Sequence, residues 1–303
     1  MEISKKELVI ISSISFIGGV IILLTNYFSN KYGNLAGLIV TIPSNTVVSL
    51  IGLTLITNDI EELQKNIYLS LILSPTTIFY LYFFWIYTPN NINRFSKLII
   101  KNKIKIVSIF SFLIWFIITY FANKYILKIF KNKEVNEILI ISLIILILNF
   151  YVTVLIKLNY KVNNTKNKNK NFSYIEYVNN FLFSFVIIFT ILLIGNINES
   201  LGAILSVFPS ITFLNSIIIW NKTNNSTLIR DLNINTIFGG ISIYMYVLIY
   251  SILINKVKVW INVIITLISI LIFFNIPIYL TLKDKKDKKD KENIIYRNEV
   301  III

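Results

Sequence analysis

Residues 35–50 read LAGLIVTIPSNTVVSL, and residues 201–216 read LGAILSVFPSITFLNS. The two stretches stand 166 positions apart and align without a gap. Leu35, Pro43, Ser44 and Thr46 face Leu201, Pro209, Ser210 and Thr212, and the small pair Ala36-Gly37 faces Gly202-Ala203. The chain has only three alanines, nine glycines and five prolines, yet both windows draw on all three types in the same order. That agreement among rare residues marks a repeated unit.

The offset extends in both directions. Residues 70–84, SLILSPTTIFYLYFF, lie opposite 236–250, TIFGGISIYMYVLIY, so that Tyr80 meets Tyr246 and Ser74-Pro75 meets Gly240-Ile241. Upstream, the first apolar run aligns with the sixth. Composition gives the solvent. The chain is 55% hydrophobic, its mean hydropathy is +0.72, and long apolar runs recur from end to end, as in a polytopic membrane protein. Runs without alternation exclude a transmembrane barrel, and backbone groups in lipid must be satisfied within their own segment, so the spans are helices.

The runs predict an all-α bundle of about nine spans (eight to ten by the choice of boundary), each of roughly 17–25 residues, enough to cross a ~30 Å hydrocarbon core. They are 8–28, 35–56, 67–88, 105–122, 137–156, 178–195, 201–220, 233–254 and 259–282. Four spans form a first repeat within 1–136. One span and a basic polar loop, KLNYKVNNTKNKNKNF at 157–172, make a connector over 137–172, and four more spans form a second repeat within 173–282. A charged tail closes the chain at 283–303. Five spans before the second copy turn it over in the membrane, which gives an inverted-topology repeat. Lys and Arg number 20 in the loops on the C-terminal side and 9 on the other, which predicts a cytoplasmic C-terminus and an outside N-terminus.

The net charge of +14 is spread over short loops and the tail, without a separate basic domain, so nucleic acid is not an expected partner and the lipid bilayer is. With no histidine and no cysteine, imidazole or thiolate metal sites, Cys nucleophiles and His bases are excluded. No paired carboxylates fall within the spans, so neither an enzyme nor a resident cofactor is expected. Asp59, Glu61 and Glu62 fall in a loop, Glu176 and Glu199 at span ends, and Arg230-Asp231 before the eighth span. Cation-coupled carriers usually need an intramembrane carboxylate. Its absence points to an uncharged or zwitterionic solute.

Within the windows, Pro43 and Pro209 each remove an N–H and crowd the carbonyl one turn earlier, freeing polar backbone at membrane depth. Thr41, Ser44, Asn45, Thr46 and Ser49 accompany the first proline, and Ser206, Ser210, Thr212 and Asn215 the second. These eleven residues are the candidate solute pathway; the alternative is that they pack helices, with hydroxyls bonded to their own backbone. Glycines occur at 18, 19, 33, 37, 52, 195, 202, 239 and 240. They select the first, second, seventh and eighth spans as the closely packed ones, and small-residue faces of this kind also suit homo-oligomers.

Leu35-Ala36-Gly37-Leu38 followed by Pro43-Ser44, echoed by Leu201-Gly202-Ala203-Ile204 and Pro209-Ser210, resembles the small four-helix members of the drug/metabolite transporter superfamily, here duplicated. The chain departs from them in lacking a glutamate within its first span, which argues against proton-coupled drug export, and in its additional fifth helix. The resemblance implies a multi-pass carrier moving a small uncharged or zwitterionic metabolite between two repeats. A non-transporting assembly protein is the alternative, with a channel or lipid scramblase behind it.

Overall fold

A computed structural model describes residues 3–31, 43–87, 97–130, 132–159, 173–208, 216–217 and 226–277. Among them there are ten α-helices and no strand: α1 Lys5–Lys31, α2 Ser44–Ile56, α3 Ile60–Ile72, α4 Ser74–Tyr87, α5 Lys97–Phe130, α6 Val135–Asn159, α7 Tyr174–Ile197, α8 Glu199–Ser206, α9 Ser226–Leu253 and α10 Val259–Ile270. A π-helical turn, Leu271–Asn275, continues α10. Five segments are long and apolar enough to cross a bilayer: Lys5–Leu24, Phe110–Phe130, Val135–Ile156, Tyr174–Ile197 and Leu232–Leu253. Ser44–Ile56 and Val259–Asn275 are shorter apolar helices.

The helix ends follow local chemistry. Asp59 caps α3, its carboxylate accepting the Glu62 N–H at 2.9 Å, and Glu61 and Glu62 fall in the first turn, where the helix dipole favours negative charge. These acids therefore begin a helix where a loop was expected. Ser173 and Glu176 form a reciprocal capping box at the start of α7. Asn198 caps α8 through the Leu201 N–H at 3.0 Å.

The expected span 67–88 is two helices. Pro75 cannot bond the Leu71 carbonyl. The Ser74 hydroxyl takes that carbonyl instead, at 2.5 Å, the Leu73 N–H turns back to it, and α4 restarts with Thr76 N–H on Leu73 O at 3.0 Å. The aligned residues Gly240 and Ile241 keep their N–H groups, and α9 runs through them unbroken. Pro277 has a comparable effect on the last span. Ahead of it the helix widens, with the Ile276 N–H on Leu271 O.

The bundle turns apolar faces outward as well as inward, and buries many polar side chains within a largely apolar core. Exposed faces carry Ile144, Ile147, Leu148 and Tyr151 on α6 and Ile261, Ile264, Ile268 and Phe273 toward the end of the described chain, whereas Ser15, Asn66, Ser74, Asn149, Ser184 and Asn262 are buried. Charge stays at the helix ends, as in the Lys133–Glu137 pair of 2.9 Å beside the α5–α6 turn.

Helices that align at the 166-residue offset pack on one another: α1 on α7, α2 on α8, and α3 and α4 on α9. Each pair runs antiparallel. Gly19 lies against Phe181, Gly18 against Ile188, and Ile14 and Leu192 meet at Gly52. Burial also keeps the 166-residue register: 14 and 180, 18 and 184, 22 and 188, 67 and 233, 71 and 237, 80 and 246 are all buried. Gly18, Gly19, Gly52 and Gly202 of the expected close-packed spans sit at tight contacts, whereas Gly240 of the eighth span has room for a β-carbon. A β-carbon on Gly52 would fall 2.5 Å from Leu192, and Gly202 presses on the Gly195 backbone.

Candidate functional site

Side-chain hydrogen bonds between distant parts of the chain concentrate where residues before 136 meet residues after 173. The Thr46 hydroxyl donates to the Ser206 carbonyl at 2.9 Å, joining the two repeated windows. About two turns of α2 further, Thr54 lies 2.8 Å from the Tyr250 hydroxyl. Gln64 donates to the Ser251 carbonyl at 2.7 Å and accepts from Asn255 at 2.7 Å. Thr57 bonds the Glu199 carboxylate, and the Ser200 hydroxyl donates to the Asn123 side chain at 2.9 Å. Together they form a polar seam, closed most firmly at the end where α2 stops and α3 starts.

About 16 Å along α9 from Ser251, at 1.5 Å per residue, the seam opens into a recess beside Gly240. Thr77, Ile78 and Leu81 of α4, Val207 beyond α8, and Thr236, Ile237, Gly240, Ile243 and Tyr244 of α9 line it. Its free space is about 260 Å³ counted out to the open mouth, and the enclosed part has room for about one water molecule. Next to it, the break between α3 and α4 is pinned from two sides. The Asn149 amide of α6 donates to the Ser74 hydroxyl at 2.5 Å, and the Tyr244 hydroxyl donates to the Ser74 carbonyl at 3.3 Å. Thr119 of α5 reaches Thr76 at 3.2 Å.

An aromatic group flanks the recess. The Phe208 ring lies 4.4 Å from Trp115, 5.3 Å from Phe112 and 5.4 Å from Tyr80, centroid to centroid. Phe208 follows Val207 of the recess wall directly, so the recess shares its side with this cluster.

Of the residues expected to form the pathway, Pro43, Ser44, Asn45, Thr46, Ser49 and Ser206 are described, and all are buried. Thr41, Pro209, Ser210, Thr212 and Asn215 lie outside the described residues. Pro43 stands immediately before α2 with ψ 51°, out of the helical region, rather than within a turn of helix, so its missing N–H leaves no gap in the α2 ladder. The Ser44 and Ser49 hydroxyls have no hydrogen-bond partner among the described residues. Ser206 bonds its own helix, its hydroxyl donating to Ala203 O at 2.7 Å, and α8 stops ahead of Pro209 as proline geometry requires.

Ser74, Asn149, Thr77, Thr236 and Tyr244 were not among the expected site residues. The alignment of Ser74-Pro75 with Gly240-Ile241 carried the signal for Ser74, and Asn149 is a lone amide in an otherwise apolar stretch of α6. Among the described residues no group of acidic side chains is placed to hold a metal ion. No protein-family profile, curated protein or solved structure matches the chain.

Proposed function

We propose that this protein is a membrane carrier for a small uncharged or zwitterionic solute, built from two inverted repeats that move against each other along the polar seam. The observation that carries the reading is the seam itself. It is bonded shut at the end holding Thr54, Gln64 and Tyr250, and it leads to an open-mouthed recess toward the other end. A pathway sealed on one side and recessed on the other is one state of alternating access. The antiparallel packing of aligned helices supports the inversion, since repeats related by an axis in the membrane plane place each helix against its reversed mate. In this reading the end closed by Gln64 and Asn255 faces outside and the recess faces the cytoplasm.

Two measurements test it. Tags on the two termini should report opposite sides of the membrane; the same side would require an even number of spans and remove the inversion. Reconstituted protein should give saturable uptake of urea, glycerol or glycine betaine above protein-free vesicles, with no need for an ion gradient. Ser44→Leu combined with Ser49→Leu should abolish that uptake in protein that still melts cooperatively. A folded protein with no saturable flux would favour the second reading, a non-transporting assembly protein. The tight Phe208, Trp115, Phe112 and Tyr80 cluster speaks for that reading, because it fills the interior as a static core would.

A further inference from the structure

Five glycines of the bundle are there because nothing larger fits. A β-carbon on Gly18, Gly19, Gly52, Gly195 or Gly202 would come within 3 Å of another atom. Gly240 is different. Among the described residues a β-carbon there would meet a single neighbour, the Tyr244 ring at 3.8 Å, an ordinary contact distance. The α9 helix runs straight through this position, so no turn demands glycine, and glycine weakens a helix interior relative to alanine. What the missing side chain leaves is space: Gly240 is the bare-backbone wall of the recess.

The geometry points to this recess as the solute-binding site of the carrier, with Gly240 setting the size of solute admitted. The inference rests on the carrier reading above and adds a place and a solute class to it. Thr77 comes from α4 and Thr236 from α9, so a solute hydrogen-bonded to both spans the two halves. Tyr244 adds a third hydroxyl; its hydrogen goes to the Ser74 carbonyl and that of Thr236 to the Leu232 carbonyl, so both meet a solute as acceptors, while Ile78, Leu81, Ile237 and Ile243 give apolar flanks. No lining residue carries a charge. Such a lining suits a compact, uncharged molecule bearing hydroxyl or amide groups and gives an ion no counter-charge to replace its hydration. Because the site takes one wall from each half, relative movement of the halves would change its shape while the solute is held.

The chain has no cysteine, so Gly240→Cys introduces the sole thiol into the full-length protein. Methyl methanethiosulfonate, a small uncharged reagent, should modify it at least about tenfold faster than the thiol of Ser242→Cys, since thiol reactivity follows access. Ser242 is a fully buried position two residues away. Glycerol or urea should slow the reaction at position 240. In vesicles, Gly240→Ala should lower xylitol flux about tenfold relative to glycerol flux, the discrimination one methyl group gives in a closed site. A Gly240→Cys thiol as inert as the one at 242 would overturn the inference, as would a reactive thiol that none of urea, glycerol or xylitol protects. Wild-type flux with no change in solute selectivity on Gly240→Ala would move the site elsewhere and leave the carrier reading standing. A protected thiol in a protein that passes no solute would keep the site and defeat the carrier.

Discussion

Residues 60–87 and 226–253 occupy matching places in the two copies, yet the first is broken at Leu73 and the second is a single helix. Their buried positions agree, with 67, 71, 74, 78 and 80 answering 233, 237, 240, 244 and 246. Their sequences differ at most positions, but the break itself falls where Ser74-Pro75 stands against Gly240-Ile241. Proline withdraws a donor, and the serine before it supplies one to the same carbonyl. The second copy withdraws nothing from the backbone and instead removes a side chain. The two aligned segments thus reach different local solutions: one covers a freed carbonyl with a serine at a break, the other leaves out a side chain along a continuous helix. The recess lies between them.

The difference can be attacked from either side. The largest effect is expected from Ile241→Pro, which imposes the first copy's break on α9 without a serine at 240 to cover the freed Ile237 carbonyl. It should cost about 3 kcal/mol or more in denaturant titration of the detergent-solubilised protein, and adding Gly240→Ser should recover part of that loss. If Ile241→Pro were neutral, the continuity of α9 would be incidental. Ser74→Ala should cost about 1–3 kcal/mol, because the buried Asn149 amide loses its acceptor along with the Leu71 carbonyl's donor. Pro75→Ala should cost about 0.4–1 kcal/mol through added freedom of the unfolded chain. Its new N–H should exchange quickly with solvent deuterium, because Ser74 already holds the Leu71 carbonyl; slow exchange would mean the proline alone keeps the helix open. Tyr244→Phe removes a long bond to the Ser74 carbonyl and should cost about 0.6 kcal/mol, the usual scale of such contacts between membrane helices.

The membrane character, the helical class and the closely packed glycines were legible because each follows from short-range pattern: hydropathy sets span length, and a rare residue among bulky ones marks a crossing. Gly18, Gly52 and Gly202 press on neighbours as expected of the first, second and seventh spans; Gly195 does so from the sixth, which was not expected, and Gly240 of the eighth does not. The polar centre was legible only in part. Thr46 and Ser206 do meet, but the bonds at Ser74 depend on Asn149, 75 residues away, and on Tyr244, 170 residues away. No local pattern announces which amide will meet which hydroxyl once helices cross. Prolines misled in a specific way. Pro43 was read as the disruptive one, yet it precedes a helix, where its missing N–H is harmless. Pro75, read as the interior of a single span, is where the helix stops.

The π-helical turn at Leu271–Asn275 carries a consequence for the face the last segment shows to lipid. Along α10 the inward positions are Asn262, Thr266 and Ile270, spaced by four. Continuing a period of 3.6 residues from these positions would bring Phe273 inward and swing Asn275 toward the hydrocarbon. The wider turn inserts one residue, a phase slip of about 100° in a helix of 3.6 residues per turn. Phe273 is accordingly turned outward and 69% exposed, while Asn275 is 1% exposed. A helical wheel drawn with one period from 259 onward therefore hands an amide to the lipid and an aromatic ring to the interior. The protein corrects both assignments with a single extra residue, two positions before Pro277.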